Sequence, residues 1–294
     1  MVTESDSIKI IKKLSKDYPK ILTEIHNPPK QLYVRGNFPK NYDLNFAIVG
    51  TRAASEYGKI LAFNISKELA GLGFNIISGM ALGIDTQAHL GALAAKGTTI
   101  AVLGSGISDP SIYPHENLNL AHKIIESGGA VISEYNPKEK SEIWYFPERN
   151  RIVSGLSCGV LVVEAPEKSG ALITARLALE QNRDVFAVPG SIFSKNSAGT
   201  NYLIKNGAKL VTSVDDIIDE LGLAKLKIKK IEDVKQKLTE EEKIILNAIE
   251  RGPFDVDKIC EVTKMPVNKI LSIISVLEIQ DIIKNIGGKF TAIK

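Results

Sequence analysis

The chain has 294 residues, 44% hydrophobic and 24% charged, a balance ordinary for a globular protein with room for one large domain and one small one. A net charge of +3 is too small for a wholly basic surface, so any nucleic-acid site must come from local clustering. The two cysteines, Cys158 and Cys260, stand far apart and make neither a disulfide framework nor a zinc site. No apolar run reaches the length of a membrane span, and lysines interrupt Ile8, Ile10 and Ile11 where a signal-peptide core would stand; a cytoplasmic protein is expected.

Residues 1 to 43 open with a short helical pattern (Ile8, Ile11, Leu14) and continue through Tyr18-Pro19, Pro28-Pro29 and Gly36 to Pro39. The prolines predict an extended lead-in packed on the main domain. Phe46–Val49 then reads as a first buried strand ending in Gly50-Thr51-Arg52. Ser55 is placed to cap the next helix, whose apolar face is Leu61, Ile65, Leu69 and Leu72 and whose stop is Gly73. Further strands are expected at Asn75–Ile77, Ile100–Leu103, Ala130–Ile132, Val160–Val163, Val185–Val188 and Lys209–Val211, with helices between them and a last helix over Val214–Leu221. Short Val- and Ile-rich runs without polar alternation suit strands covered on both faces. The fold class is therefore α/β, a Rossmann-like, doubly wound, mostly parallel sheet over residues 44–222, whose ligands would sit at the carboxyl ends of the strands.

Residues 223–238 read as a solvated linker: Ala224–Lys237 holds six lysines, two acids and no glycine or proline. Over 239–294, three helical patterns (Glu240–Arg251, Val256–Thr263, Val267–Gln280) precede a ribbon, Asp281–Lys284 and Lys289–Ile293, turning at Gly287-Gly288. That order predicts a winged helix. Its third helix offers a single cation, Lys269, opposed by Glu278, so the tail is not expected to be the main DNA site.

The polar motifs fall at strand–helix joints. Ser78-Gly79-Met80-Ala81-Leu82-Gly83-Ile84-Asp85 links a strand to a helix through glycines, with Asp85 as the expected N-cap and N–H groups free to face an anion; a plain capped turn would look the same. Asp85 and His89 lie four apart on one helix face, a spacing that fits a cap and a buried histidine better than a catalytic pair. In Phe146-Pro147-Glu148-Arg149-Asn150-Arg151, Pro147 suits a helix first turn, and arginines there oppose the helix dipole unless an anion is bound. Arg149 and Arg151 point about 200° apart, so one is expected to face a ligand and the other to brace the sheet. Lys168-Ser169-Gly170, running on to Thr174, repeats the joint with Ser169 as its cap. There is no dinucleotide fingerprint and no P-loop. Gly155-Leu156-Ser157-Cys158-Gly159 spells a nucleophile elbow, but its strand follows the serine and no histidine lies beyond His122.

In this order the motifs Gly50-Thr51-Arg52, Ser78–Asp85, Phe146–Arg151 with Ser154-Gly155-Leu156, Ser169-Gly170 and Val188-Pro189-Gly190 resemble the bacterial DNA-processing protein A (DprA/Smf) family, over roughly residues 18–222. The tail resembles the winged-helix domain of many members, while the N-terminal helical domain of others is missing or reduced to a remnant. The resemblance implies a protein that binds single-stranded DNA, forms a homodimer through its Rossmann-like domain and loads the RecA recombinase in natural transformation, with no cofactor and no metal. It implies a DNA site at Gly50, Thr51, Arg52, Ser78, Gly79, Met80, Ala81, Phe146, Arg149, Asn150, Arg151, Ser169 and Gly170. Backbone N–H groups and arginines would hold phosphates there without reading sequence, and Phe146 would stack on a base. The competing reading is a nucleotide phosphoribohydrolase of the LOG type, whose fold is similar. Those enzymes carry a glutamate in the loop that here reads Ser169–Thr174, and this chain has none there.

Overall fold

A computed structural model describes residues 7–39, 42, 44–226, 238–279 and 282–292. They form two compact units, Met1–Leu221 and Gly222–Lys294. In the first unit the apolar run at Phe46 becomes the middle of a nine-stranded sheet. Its strands are β1 (Lys9–Lys12), β2 (Gln31–Gly36), β3 (Asn45–Val49), β4 (Asn75–Ser78), β5 (Thr99–Val102), β6 (Ala130–Ser133), β7 (Gly159–Val162), β8 (Asp184–Ala187) and β9 (Lys209–Leu210). The spatial order is β1-β2-β6-β5-β4-β3-β7-β8-β9. The strands from β3 to β9 are parallel, and β2 joins β6 antiparallel with β1 outside it.

Every residue of β3, β5, β6 and β7 is buried, as continuous apolar runs covered on both faces must be. Phe46 packs edge-on against Phe74 at 6.1 Å and tilted against Phe186 at 5.5 Å. The helices that cover the sheet are α1 (Lys20–Thr23), α2 (Glu56–Gly71), α3 (Ile84–Ala94), α4 (Leu118–Glu126), α5 (Tyr145–Gly155), α6 (Gly170–Glu180), α7 (Ala198–Lys205) and α8 (Val214–Glu220). Ser55 caps α2 by accepting from the Gly58 N–H at 3.1 Å, and Gly73 ends that segment at φ +95°. The glycine at 91 lets α3 lie against α2, since a Cβ there would meet the Phe63 carbonyl.

The chain's opening departs from the sequence reading. Ile8, Ile11 and Leu14 do not share a helix: Lys9–Lys12 is a strand paired with β2, and Leu14 is fully exposed. A helix this short is unstable by itself, and the edge of β2 offers the segment hydrogen-bond partners instead.

The second unit comprises α9 (Glu240–Glu250), α10 (Val256–Thr263), α11 (Val267–Ile279) and the ribbon β10 (Ile283–Ile286) with β11 (Lys289–Ala292). Its own core includes Ile245, Ile249, Ile259, Ile270, Leu277 and Phe290. Thr239 and Glu242 form a capping box at the start of α9. Gly287 and Gly288, both at positive φ, make the ribbon's turn. Three helices and a ribbon give the winged helix. Lys269, the cation on α11, is ion-paired with Glu241. Gln280, Asp281 and Ile293, and the linker residues 227–237, lie outside the described residues. Among the described residues no helix is long and apolar enough to cross a membrane, and no cluster of three His, Cys, Asp or Glu could hold a metal.

Candidate nucleic-acid interface

Strands added after β3 run to one side of it, and β7, β8 and β9 run to the other. The order therefore reverses between β3 and β7, and the loops leaving their carboxyl ends part to leave a crevice. A cavity of about 550 Å³ lies there. Gly50 and Thr51 line it beyond β3, Gly79 and Ala81 beyond β4, Phe146, Arg149 and Asn150 from α5, and Ser169 and Gly170 from α6. Arg52 lines it as well.

The joint after β4 is held from beneath. The buried Ser78 hydroxyl donates to the Ile48 carbonyl at 2.6 Å. Met80 takes a left-handed conformation, φ +62°, which buries its side chain completely among Ile107, Ile112 and Leu120. Its carbonyl accepts from Asn117 Nδ2 at 2.7 Å. Asp85 is not the N-cap of α3: Gly83, at φ +82°, occupies that position. Asp85 is the second helical residue, and its Oδ2 accepts from the Gly79 and Ala81 N–H groups at 3.1 and 3.3 Å. These two N–H groups thus already serve an internal carboxylate instead of standing unpaired at the joint.

Arg149 completes the arrangement. It is 5% exposed, and its Nη1 donates to the Gly79 carbonyl at 2.6 Å and to the Val102 carbonyl. A Cβ at position 79 would fall 2.7 Å from the Arg149 Cζ, so glycine is what lets the guanidinium pass. Burial pulls Arg149 down to about 10, against the charge of Asp85, and it stays cationic at neutral pH. Burial pushes Asp85 up, opposed by Arg149 and by the N–H groups of Ala81, Gly79 and Gly50. His89 is buried beside Thr99, and burial drives it down to about 3. Thr99 Oγ1 donates to the Ile76 carbonyl, so the 2.7 Å contact requires His89 Nδ1 to be the donor. His89 bonds Thr99 and is absent from the cavity wall that Asp85 lines.

The accessible chemistry is on the rim. Arg52 is exposed, with its guanidinium 5.2 Å from the centre of the Phe146 ring. Tyr113 sets its ring 5.5 Å from Phe146 on the same wall. Lys168 is exposed at the edge of the α6 joint. Among the described residues neither Arg52 nor Lys168 has a carboxylate within ion-pair distance. Ser169 caps α6 through the Ala171 N–H at 3.2 Å, and Asn150 ties α5 to α6 by donating to the Gly170 carbonyl at 3.3 Å. The wall thus offers three cations, Arg52, Arg149 and Lys168, against one carboxylate, Asp85.

Three of the expected site residues lie elsewhere. Ser78 and Met80 point into the core beneath the joint, and Arg151 pairs with Glu134 at 2.6 Å on the other side of α5. Of the two arginines, Arg149 lines the cavity and Arg151 braces the sheet. Sequence reasoning passed over Lys168, although its own motif held it, and Tyr113, which arrives from a loop after β5 with no local pattern to flag it. Ser157 of the elbow-like spelling is buried and donates to the Val153 carbonyl at 2.8 Å.

The family model of the DNA recombination-mediator protein A matches residues 9–222, and that of the DprA winged helix domain matches residues 232–289. The chain is 46% identical to DNA processing protein DprA of Bacillus subtilis over 208 residues, 70% of this chain and 69% of that protein. It is 45% identical to protein Smf of Escherichia coli over 207 residues, but spans only 55% of that protein. The X-ray structure of DNA processing protein A from Streptococcus pneumoniae superposes with a TM-score of 0.67 at 41% identity, covering 74% of this chain and 75% of that one. The structure describing single-stranded DNA binding by DNA processing protein A from Helicobacter pylori gives 0.65 at 31% identity, covering 74% and 96%. With its switch-point cavity, its motifs in family order and its winged-helix tail, the chain belongs to the DNA recombination-mediator protein A family.

Proposed function

We propose that the switch-point cavity binds single-stranded DNA and that the protein is a recombination mediator, acting as a homodimer in the cytoplasm to load RecA onto incoming DNA during natural transformation. The observation that carries the DNA reading is the pairing, at one rim, of an exposed, unneutralised arginine with a half-buried aromatic ring on the cavity wall, Arg52 over Phe146. A phosphate would sit on Arg52 and Lys168, and a base on Phe146 or Tyr113. These contacts carry no base-edge code, so binding would be tolerant of sequence. Arg149 acts beneath them as a positioning residue, fixing the Gly79 loop, and its buried charge adds to the field of the site. The homologue described as binding single-stranded DNA, from Helicobacter pylori, supports the ligand class.

A buried aspartate with a raised pKa in a cleft is also what an enzyme would place there, and this favours the hydrolase as a second reading. Against it, Asp85 already accepts two loop N–H groups, and no second acid lines the cavity. The test of the main reading is gel-shift binding of oligo-dT and of an equal-length duplex by the full chain, followed by RecA filament assembly on oligo-dT coated with single-strand-binding protein. Preference for oligo-dT and faster filament growth are expected. Equal or tighter duplex binding would reject the reading.

A further inference from the structure

Just outside the cavity the chain exposes two consecutive large apolar side chains, Ile143 at 84% and Trp144 at 59%. Ile143 lines the cavity mouth, and Trp144, the sole tryptophan of the chain, is the residue that starts α5. Trp144 is held, not loose. Its ring meets Tyr145 edge-on at 6.0 Å, and Tyr145 stacks on Tyr135 at 3.7 Å. The stack is pinned at both hydroxyls, since Tyr135 donates to Glu148 at 2.9 Å and Tyr145 donates to Glu139. A large aromatic face kept exposed by a braced support is pre-organised for a flat partner, because little side-chain freedom remains to be lost on binding. Among the described residues its outer face is left exposed. The segment before it, Lys138 to Glu142, balances two lysines with two glutamates, so it adds no net field for phosphate.

We propose that Trp144, flanked by Ile143, is a second base-stacking shelf, taking a nucleotide of the strand after it leaves Phe146. The occupant is a nucleobase of the same single strand, since the shelf is continuous through Ile143 with the wall that carries Arg52 and Phe146. The inference rests on the single-stranded DNA reading of the cavity. It extends the binding path beyond the cavity and makes the exit of the strand a stacking contact without counterion release.

Because Trp144 is the only indole, its emission reports the shelf directly. The experiment titrates the full chain with an oligo-dT of about 16 nucleotides, a length within the site sizes of single-strand binders, and follows tryptophan emission alongside anisotropy of a labelled oligonucleotide. Quenching that tracks the anisotropy is expected. Trp144→Ala should weaken binding about 5- to 150-fold with an unchanged salt slope, and Trp144→Phe should remain near wild type. Wild-type anisotropy binding with unmoved emission would overturn the inference and leave the cavity reading standing. Quenching accompanied by wild-type affinity in Trp144→Ala would also overturn it, since the indole would then only sense a nearby strand. No binding of oligo-dT by the wild-type chain would overturn the cavity reading and the shelf together.

Discussion

Replacing Arg149 with methionine keeps most of the side chain's bulk and removes its charge and its donors. Two main-chain carbonyls, Gly79 and Val102, lose their bonds, and Asp85 loses the nearest charge that offsets its burial. Breaking one side of a buried charged arrangement costs about 3–5 kcal/mol, which in a unit of this size lowers the melting temperature by about 6–20 °C. Urea unfolding followed by Trp144 emission isolates the effect, because the winged-helix unit contains no tryptophan. The pH dependence has a definite sign. Asp85 has a raised pKa in the folded protein, so stability falls as pH climbs from the unfolded carboxylate range toward the folded value. Removing Arg149 raises that pKa further, so the deficit of the variant should grow from acidic to neutral pH. Adding Asp85→Asn should recover part of the loss, since the amide oxygen can still accept from Gly79 and Ala81. A loss under about 1 kcal/mol at neutral pH, or a deficit that does not change with pH, would refute the buried-pair argument.

Phe146→Ala should weaken oligo-dT binding by about 1–3 kcal/mol without changing the salt slope, because stacking releases no counterion; fluorescence anisotropy at several salt concentrations checks this. Gly79→Ala should destabilise the main unit by about 1–3 kcal/mol through its clash with the Arg149 guanidinium, visible as a lower urea midpoint. A chain ending after Leu223 should keep most of its oligo-dT affinity, since the tail's α11 cation is already neutralised by Glu241; loss of most affinity in a folded truncation would assign the site to the tail. No free adenine should be released from AMP, and release that vanishes in Asp85→Ala would revive the hydrolase reading.

The sheet was legible because its strands are buried on both faces: a run such as Phe46–Val49 or Val160–Val163 has little alternative to being a central strand. Helix ends were legible where a side chain does the capping, as at Ser55 and Ser169. The β1–β2 edge was not, because its pairing is decided by tertiary partners and the run at Ile8 is too short to carry a period. Asp85 was misplaced for a related reason. Sequence places a carboxylate near a helix start, but only the left-handed turns at Met80 and Gly83 decide that it reaches back to the loop instead of forward to its own helix. The opposed directions of Arg149 and Arg151 followed from helix geometry alone. That Arg149 would be buried under the Gly79 loop did not, since nothing local in the sequence brings Gly79 to it.

In the proposed function Arg52 holds a phosphate of a single strand at the cavity rim. The most direct measurement is the slope of log K against log salt for oligo-dT binding by the wild-type chain and by Arg52→Ala, each shown to be folded by its unfolding curve. Weaker binding to every sequence is expected, with a slope flattened by about 0.7, the single-strand value for one phosphate. A wild-type slope and affinity in folded Arg52→Ala would contradict it.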